Sequence, residues 1–285
     1  MSAKKLRELL KVPGIIRAPG AGDPWTARLI EMAGFPAVYM SGAITSHTVI
    51  GRPDIGLLTM TEMALQAKNI SNAVDIPVIA DGDNGHGGVL NVIRMVEEYE
   101  RAGVAAIQLE DQVLPKRCGH MEGKEVIPKT EMVSKIKAAV YARRNEDFVV
   151  IARTDARAVE GFDSAIERAL AYCDAGADVI FFEAPQSRDE MEKVAKAISK
   201  PLLANMVEGG KTPFLKGEEL DALGFKIVIY PGSTAMVATK AIIDMLDSLK
   251  TNDTTAAYAE HMLDFANLNK IASLAKEREL EKRFQ

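Results

Sequence analysis

The sequence predicts a single (β/α)8 barrel, and three features of the chain support this fold. Short apolar runs occur eight times and alternate with amphipathic stretches, which is the order of elements in a parallel sheet covered by helices. The composition shows no break that would mark a boundary between two domains. At 285 residues, the chain has the length of a barrel of about 250 residues with an extension. We therefore predict a barrel over residues 1–250 and a C-terminal helical extension over residues 251–285, which the barrel does not need and which is expected to pack on a neighbouring subunit.

The predicted strands are short, and several of them are apolar on both faces. They cover residues 15–18, 37–40, 77–80, 105–109, 148–152, 178–182, 201–204 and 226–230. Helical patterns lie between them, for example at residues 131–143 and 163–175. Gly34, Gly103, Gly176 and Gly224 follow helical patterns at positions that suit a left-handed C-cap. A doubly wound open sheet is the alternative, but no Gly-x-Gly-x-x-Gly segment follows the first predicted strand.

Composition and charge exclude several classes of function. The chain is 47% hydrophobic and 26% charged, as is usual for a globular protein, and its net charge of −5 gives no basic excess for nucleic acid or an anionic membrane. No apolar stretch has the length of a membrane helix, and residues 1–10 resemble an amphipathic helix rather than a signal segment. The two cysteines lack metal-type spacing, which favours free thiols and a cytoplasmic location.

Residues 115–120 contain the most reactive-looking group of the chain. Lys116 and Arg117 directly precede Cys118, and Gly119 and His120 follow it. Neighbouring cations lower the pKa of a thiol and make it a usable proton carrier or nucleophile. The segment 112–128 is long for a barrel connection, which is typical of a lid, so Cys118 is expected to reach the active site when that lid closes. Cys173, in contrast, lies on the apolar side of a helical pattern and is interpreted as a core residue.

Polar residues follow six consecutive predicted strands. In a barrel the carboxyl ends of the strands meet at one mouth, where active sites are found. The residues at these ends are Ser41 and Gly42, Asp81 and Asp83, Glu110 and Asp111, Arg153 and Asp155, Glu183, and finally Asn205 and Glu208. The sequence therefore predicts an active site at this end of the barrel.

The acidic residues in the segment 81–88 indicate a metal site. Asp81 and Asp83 supply oxygen ligands within a glycine-rich segment, and Glu110 follows the next strand. Oxygen ligands favour Mg²⁺ or Mn²⁺ over zinc. His86 is a weaker candidate for a zinc ligand, since no second His or Cys has suitable spacing.

Seven motifs in order resemble the isocitrate lyase/phosphoenolpyruvate mutase superfamily over nearly the whole chain. They lie at residues 39–42, 53–56, 80–83, 109–112, 116–120, 152–156 and 205–213. The resemblance implies a barrel whose last helix is exchanged between subunits, and assembly into homodimers or homotetramers. It also implies Mg²⁺ bound through Asp81, Asp83, Glu110 and Asp54, with an α-keto or α-hydroxy carboxylate as ligand.

The Cys-Gly-His segment resembles the carbon–carbon lyase branch of this superfamily, which implies a role for each residue of the site. Cys118 is the implied acid that protonates the carbanion, with Lys116, Arg117 and His120 tuning it. Tyr39 is the candidate base. The implied substrate-binding residues are Ser41, Gly42, Ala43, Gly119, Arg153, Glu183 and Asn205, with Arg153 as a carboxylate clamp.

Two departures from the methylisocitrate lyase pattern bear on the substrate, a small dicarboxylate. Arginines that serve a third carboxylate in those enzymes are replaced by Met236 and Phe265 in this chain. Since an unpaired carboxylate against apolar groups costs roughly several kcal/mol, we expect the pocket to accept an alkyl group. The sequence thus predicts a 2-alkylmalate lyase, for example on 2,3-dimethylmalate. A methylisocitrate lyase and an oxaloacetate hydrolase remain alternatives, followed by a phosphonate-processing enzyme and a non-catalytic barrel.

Overall fold

A computed structural model describes residues 2–117, 119 and 123–285 of the chain. The predicted eight-stranded parallel barrel is confirmed: each strand pairs with the next, and the first pairs with the last, Ile16 lying opposite Ile227. The strands are β1 Ile16–Ala21, β2 Val38–Met40, β3 Val78–Asp81, β4 Ala106–Glu110, β5 Val149–Thr154, β6 Val179–Phe182, β7 Leu202–Asn205 and β8 Phe225–Tyr230.

Helices alternate with the strands and continue beyond the barrel. They are α1 Ser2–Lys11, α2 Pro24–Met32, α3 Gly42–Ile50, α4 Met60–Ala73, α5 Val89–Ala102, α6 Lys129–Ala142, α7 Ala156–Val159, α8 Phe162–Asp174, α9 Arg188–Ala197, α10 Gly217–Leu223, α11 Ser233–Asn252, α12 Phe265–Ile271 and α13 Leu274–Lys282, with a 3₁₀ helix at Thr255–His261. Gly103 and Gly224, predicted as C-caps, adopt φ values of +87° and +98°, which suit a residue without a side chain.

The core has two layers because strand residues alternate between the inside and the outside of the barrel. Inward-facing residues such as Ile79, Ile151 and Phe181 fill the barrel, and Leu6 of α1 packs on this inner cluster. Arg7 of α1 donates to the carbonyl of Phe148, which directly precedes β5, so α1 lies at the amino-terminal end of the strands. The opposite end is left for the polar residues, as predicted.

Residues 1–234 form one compact unit and residues 235–285 a second, and α11 contains the boundary. The second unit contains no buried residue along its whole length, all of which the structure describes. Apolar side chains such as Val237, Phe265 and Phe284 are exposed there. Packing of the extension on a neighbouring subunit stays a prediction. Across the described part of the chain, no helix combines the length and the apolar character that a membrane span requires.

Candidate active site

Most of the polar residues predicted at the mouth of the barrel are buried and contact one another, whereas Glu208 is exposed and pairs with Ser233 instead. Glu110 and Glu183 are each 1% exposed, and Arg153 is 7% exposed. Asn205 donates through Nδ2 to both oxygens of Glu183, at 3.3 and 3.2 Å. The ends of β3 to β7 therefore bring acids, an amide and a guanidinium together in a site shielded from water.

Asp81, at the end of β3, is held in one orientation by three N–H donors. Its Oδ1 accepts from the backbone of Asp83 at 3.0 Å and from Nε2 of Gln108 at 3.2 Å, and its Oδ2 accepts from the backbone of Gly42 at 3.2 Å. Burial, and then the charge of Asp83, raise the pKa of Asp81 to about 6. A Cβ atom at position 42 would lie 2.6 Å from Oδ2, so this close approach requires glycine.

Lys116 places its ammonium group between two of the acids. Its Nζ lies 2.5 Å from Oδ1 of Asp54 and 2.7 Å from Oδ1 of Asp83, and its side chain is 3% exposed. Burial alone would lower the pKa of this lysine, but the surrounding carboxylates, Asp83 first among them, raise it well above its usual range. Lys116 is thus a fixed positive charge within the acidic cluster, and its tuning of Cys118 stays a prediction.

Tyr39 lies inside the barrel, just below these carboxylates. Its hydroxyl donates to Oε1 of Gln108 at 2.7 Å, and Gln108 in turn orients Asp81. Burial, together with the charge of Asp81, raises the pKa of Tyr39 well above 10, so its hydroxyl is protonated at neutral pH. Its role as general base stays a prediction. Gln108 was not among the predicted site residues, although a lone polar residue two positions before Glu110 on an apolar strand indicates the same inward face.

Glu110 has a buried carboxylate oxygen that is available to a cation. Its Oε1 is buried without a hydrogen-bond partner, and its Oε2 lies 3.3 Å from Nη1 of Arg153. Burial raises the pKa of Glu110 well above its usual value, and the positive charge of Arg153 opposes this shift only partly. The described residues contain no group of three His, Cys, Asp or Glu side chains arranged to chelate a metal directly. This donor set fits Mg²⁺, which keeps several of its waters and takes one or two carboxylates.

Arg153, at the end of β5, is shared among three acids. Nε and Nη2 donate to the two oxygens of Asp155 at 2.9 and 3.1 Å, and Nη2 lies 3.5 Å from Oε1 of Glu183. The guanidinium carbon lies 4.9 Å from the centre of the Phe181 ring. Such a fixed, planar cation is suited to binding a carboxylate, and the role of Arg153 as a carboxylate clamp stays a prediction.

Asp155 and Asp111 were noted as strand-end acids, but their part in the site was not foreseen. Asp111 accepts from the backbone of Asp155 at 2.8 Å, from the hydroxyl of Thr154 at 2.8 Å and from that of Tyr172 at 2.7 Å. Asp155 then holds Arg153. Sequence alone could not show this network, because Tyr172 comes from a helix of the outer layer.

The segment between β4 and α6 lies directly on the mouth at Gly119. A Cβ atom at this position would lie 2.2 Å from Nη2 of Arg153 and 2.2 Å from Oε1 of Glu183. The backbone of Arg117 bonds twice to the side chain of Gln112, each time at 2.9 Å. Cys118 and His120 lie outside the described residues.

The first turn of α3 carries the predicted pyruvate-binding residues. Ser41 is the N-cap, its Oγ accepting from the backbone of Ile44 at 3.4 Å, and Gly42 and Ala43 follow it. Backbone N–H groups at a helix N-terminus favour anions. Met236 and Phe265 belong to the second unit, where they are 51% and 77% exposed.

Comparison with known proteins points to one family. A sequence model of the family described as phosphoenolpyruvate phosphomutase matches residues 6–250. The chain is 54% identical over 280 residues to 2,3-dimethylmalate lyase of Eubacterium barkeri, covering 98% of this chain and 97% of that protein. It is 47% identical over 248 residues to 2-methylisocitrate lyase of Bacillus subtilis (strain 168), covering 87% and 81% of the two chains.

Solved structures give the same result. A crystal structure of 2,3-dimethylmalate lyase, described as a PEP mutase/isocitrate lyase superfamily member, matches with a TM-score of 0.95 and 39% identity, covering 99% of this chain and 95% of that chain. A phosphonopyruvate hydrolase in complex with oxalate and Mg²⁺ matches with a TM-score of 0.90 and 30% identity, covering 100% and 99% of the two chains.

Proposed function

This chain belongs to the phosphoenolpyruvate mutase/isocitrate lyase superfamily and is a carbon–carbon lyase, and on this basis we propose that it cleaves a 2-alkylmalate such as 2,3-dimethylmalate. The observation that carries this choice is the 54% identity to a 2,3-dimethylmalate lyase over almost the full length of both chains. The apolar residues Met236 and Phe265, in place of the arginines expected for a third carboxylate, support the same choice.

The proposed reaction divides 2,3-dimethylmalate into pyruvate and propionate. The hydroxyl group on C2 loses its proton and becomes the ketone of pyruvate as the C2–C3 bond breaks. The electron pair of that bond passes to C3 and forms the enediolate of propionate. A proton delivered to C3 completes the reaction, so no redox partner is needed.

We propose Mg²⁺, or Mn²⁺, as the cofactor, with Asp81, Asp83, Glu110 and Asp54 binding it directly or through water. The unpartnered, buried Oε1 of Glu110 and the fixed carboxylate of Asp81 support this assignment. The phosphonopyruvate hydrolase that was crystallised with oxalate and Mg²⁺ supports it as well. When bound, the cation stabilises the negative charge that develops on the substrate oxygens.

The remaining roles follow from chemistry and position. The guanidinium of Arg153 binds a carboxylate, while Ser41, Gly42 and Ala43 bind the oxygens of the pyruvate part through the N-terminus of α3. Glu183 and Asn205 complete the pocket beside Arg153.

Proton delivery to C3 is assigned to Cys118, while Tyr39 stays the candidate for removal of the hydroxyl proton. Cys118 delivers the proton to C3, and Lys116, Arg117 and His120 tune its environment. Tyr39 orients Gln108 through its hydroxyl. The substitution Tyr39→Phe tests whether Tyr39 also removes the hydroxyl proton of the substrate.

Substitution of the proposed acid tests this mechanism. We expect Cys118→Ser to lose at least about a thousandfold in kcat, since a hydroxyl is a far weaker acid than a thiol. Oxalate, an analogue of the pyruvate enolate, should still bind the variant in the presence of Mg²⁺, as measured by calorimetry. Full turnover in the variant would remove Cys118 from its proposed role.

A 2-methylisocitrate lyase, which would yield pyruvate and succinate, is the second candidate. The observation in its favour is the 47% identity to the Bacillus subtilis enzyme. An oxaloacetate hydrolase is the third. These candidates share the proposed site at the mouth and differ in the group that the pocket accepts on C3, so a panel of substrates separates them.

We also propose that the chain assembles into a homodimer or homotetramer through its second unit. A segment of this length without a single buried residue is expected to need a partner surface, because burial of apolar area is the main source of folding free energy. Val237, Ile242 and Leu246 of α11 are all more than half exposed, at 71%, 55% and 51%. The molar mass in solution, measured by light scattering, tests this assembly.

A further inference from the structure

Lys124 is a buried cation that the proposed reaction does not use. Its side chain is 2% exposed, and its Nζ lies 2.7 Å from Oδ1 of Asp155 and 2.5 Å from the carbonyl oxygen of Gly119. Lysine is rarely buried to this degree unless it is paired, because loss of hydration penalises the charged form. The contacts with these two oxygens therefore offset the cost of burying the charge of Lys124.

The two acceptors belong to different parts of the fold. Asp155 lies at the end of β5 and is held on three sides: its backbone N–H donates to Asp111, and its carboxylate accepts from Arg153 and from Lys124. Gly119 lies in the segment between β4 and α6. Lys124 thus joins this segment to a rigid point of the barrel.

Gly119 packs closely against two residues of the proposed site. Its Cα faces Nη2 of Arg153 and Oε1 of Glu183 so closely that even a methyl group would overlap both atoms. The carbonyl oxygen of Gly119 is the atom that Lys124 binds. A single ammonium group therefore fixes the backbone of the segment over two residues of the proposed site.

We propose that Lys124 is a positioning residue, which holds Gly119 over Arg153 and Glu183 by linking the carbonyl oxygen of Gly119 to Asp155. Lys124 contacts no substrate in this proposal. Gly119 directly follows Cys118 in the chain, so loss of the anchor lowers kcat, whereas Arg153 and the N-terminus of α3, which are proposed to bind the carboxylate and the pyruvate oxygens, stay in place and KM changes little. The kinetic part rests on the proposed lyase function, while the effect on the backbone does not.

Hydrogen–deuterium exchange of Lys124→Met tests the effect on the backbone without any substrate. The amide of Val113 donates to the carbonyl of Glu125, and that of Arg117 donates to Gln112. We expect both amides to exchange at least about tenfold faster in the variant, with no change at Val150 in β5, because only the segment loses its anchor. Lys129→Met is the matched control, since Lys129 is a partly exposed lysine that pairs with Glu167 outside the proposed site, and the variant should exchange like the wild type.

Two further measurements complete the test. Lys124→Arg keeps a cation and should restore part of the protection and part of kcat; for Lys124→Met, we expect a loss in kcat of at least about tenfold with KM within about threefold of the wild type. Wild-type exchange at Val113 and Arg117 in Lys124→Met would overturn the proposal, as would an equal increase at Val150. If the wild type cleaves none of the candidate substrates, the proposed function fails, whereas the exchange data still decide the role of Lys124.

Discussion

The hydroxyl of Tyr39 donates a 2.7 Å hydrogen bond to Oε1 of Gln108 inside the barrel. The amide of Gln108 in turn donates to Asp81, so a residue of β2 helps to orient the carboxylate at the end of β3. Because burial raises the pKa of Tyr39 well above 10, the hydroxyl serves as a donor before substrate binds.

Tyr39→Phe therefore distinguishes an orienting residue from a base. The variant keeps the ring and removes only the hydroxyl, and we expect kcat to fall about tenfold, which is the order expected for loss of one buried hydrogen bond. A loss beyond about ten-thousandfold would instead identify Tyr39 as the base. Gln108→Leu, which removes the next link, should resemble Tyr39→Phe and should weaken Mg²⁺ binding, measured by calorimetry.

Gly119→Ala tests the close contact of the segment with the mouth. The added methyl group would meet Nη2 of Arg153 and Oε1 of Glu183 at 2.2 Å, so the backbone must move away from both. We expect kcat/KM to fall at least about a hundredfold while the melting temperature stays within a few degrees of the wild type. Gly88→Ala is the matched control, because a Cβ atom there meets nothing within 4 Å, and its activity should be unchanged. Equal activity in the two variants would show that the contact is dispensable.

Glu110→Gln should stabilise the metal-free protein at alkaline pH while weakening its response to Mg²⁺. A carboxyl group whose pKa is raised by folding binds more protons in the folded state than in the unfolded state, so it reduces stability as the pH rises above its unfolded value. Glutamine carries no charge and avoids this cost. One pKa unit corresponds to about 1.4 kcal/mol, which is about 2–4 °C in melting temperature for a chain of this size.

The stability difference between Glu110→Gln and the wild type should depend on pH. In EDTA the advantage of Glu110→Gln over the wild type should be largest near pH 8 and should disappear as the pH falls below about 4.5, where the wild-type carboxyl becomes protonated in the unfolded chain as well. Thermal unfolding at several pH values measures the difference. A variant that is less stable than the wild type at pH 8 without metal, and equally stabilised by Mg²⁺, would contradict our interpretation of Glu110.

Introducing positive charge at positions 236 and 265 tests the choice of substrate. Met236→Arg combined with Phe265→Arg supplies the two cations that the methylisocitrate lyase pattern contains, and we expect the ratio of kcat/KM for 2-methylisocitrate over 2,3-dimethylmalate to rise at least about tenfold. Met236→Leu with Phe265→Leu is the uncharged control and should leave this ratio close to that of the wild type. An unchanged ratio in the arginine variant would remove both positions from the specificity argument.

The barrel could be predicted from sequence because its signal is local. Eight apolar runs and the glycines that follow the helical patterns mark the strands and the turns between them, and the observed strands overlap each predicted run. The strand-end residues Asp81, Glu110 and Arg153 could be placed at the mouth for the same reason, since the barrel topology brings all carboxyl ends to one side.

Partners that come from distant parts of the chain could not be predicted in this way. Lys116 forms ion pairs with Asp54 and Asp83, and Lys124 forms one with Asp155. The spacing of these residues in the sequence does not indicate these pairs. Gln108 carried a usable signal, because it lies on the inward face of β4. The raised pKa of Tyr39 depends on burial within the finished barrel, which a sequence pattern does not report.

The most direct test of the central claim is the release of pyruvate in the presence of Mg²⁺, followed through lactate dehydrogenase and NADH, from 2,3-dimethylmalate and 2-methylisocitrate side by side. We expect a kcat/KM for 2,3-dimethylmalate at least about tenfold above that for 2-methylisocitrate, and no signal from either substrate with Cys118→Ser. Preference for 2-methylisocitrate would contradict the assigned substrate and leave the lyase chemistry intact. Absence of pyruvate from both substrates would contradict the proposed 2-alkylmalate lyase function itself.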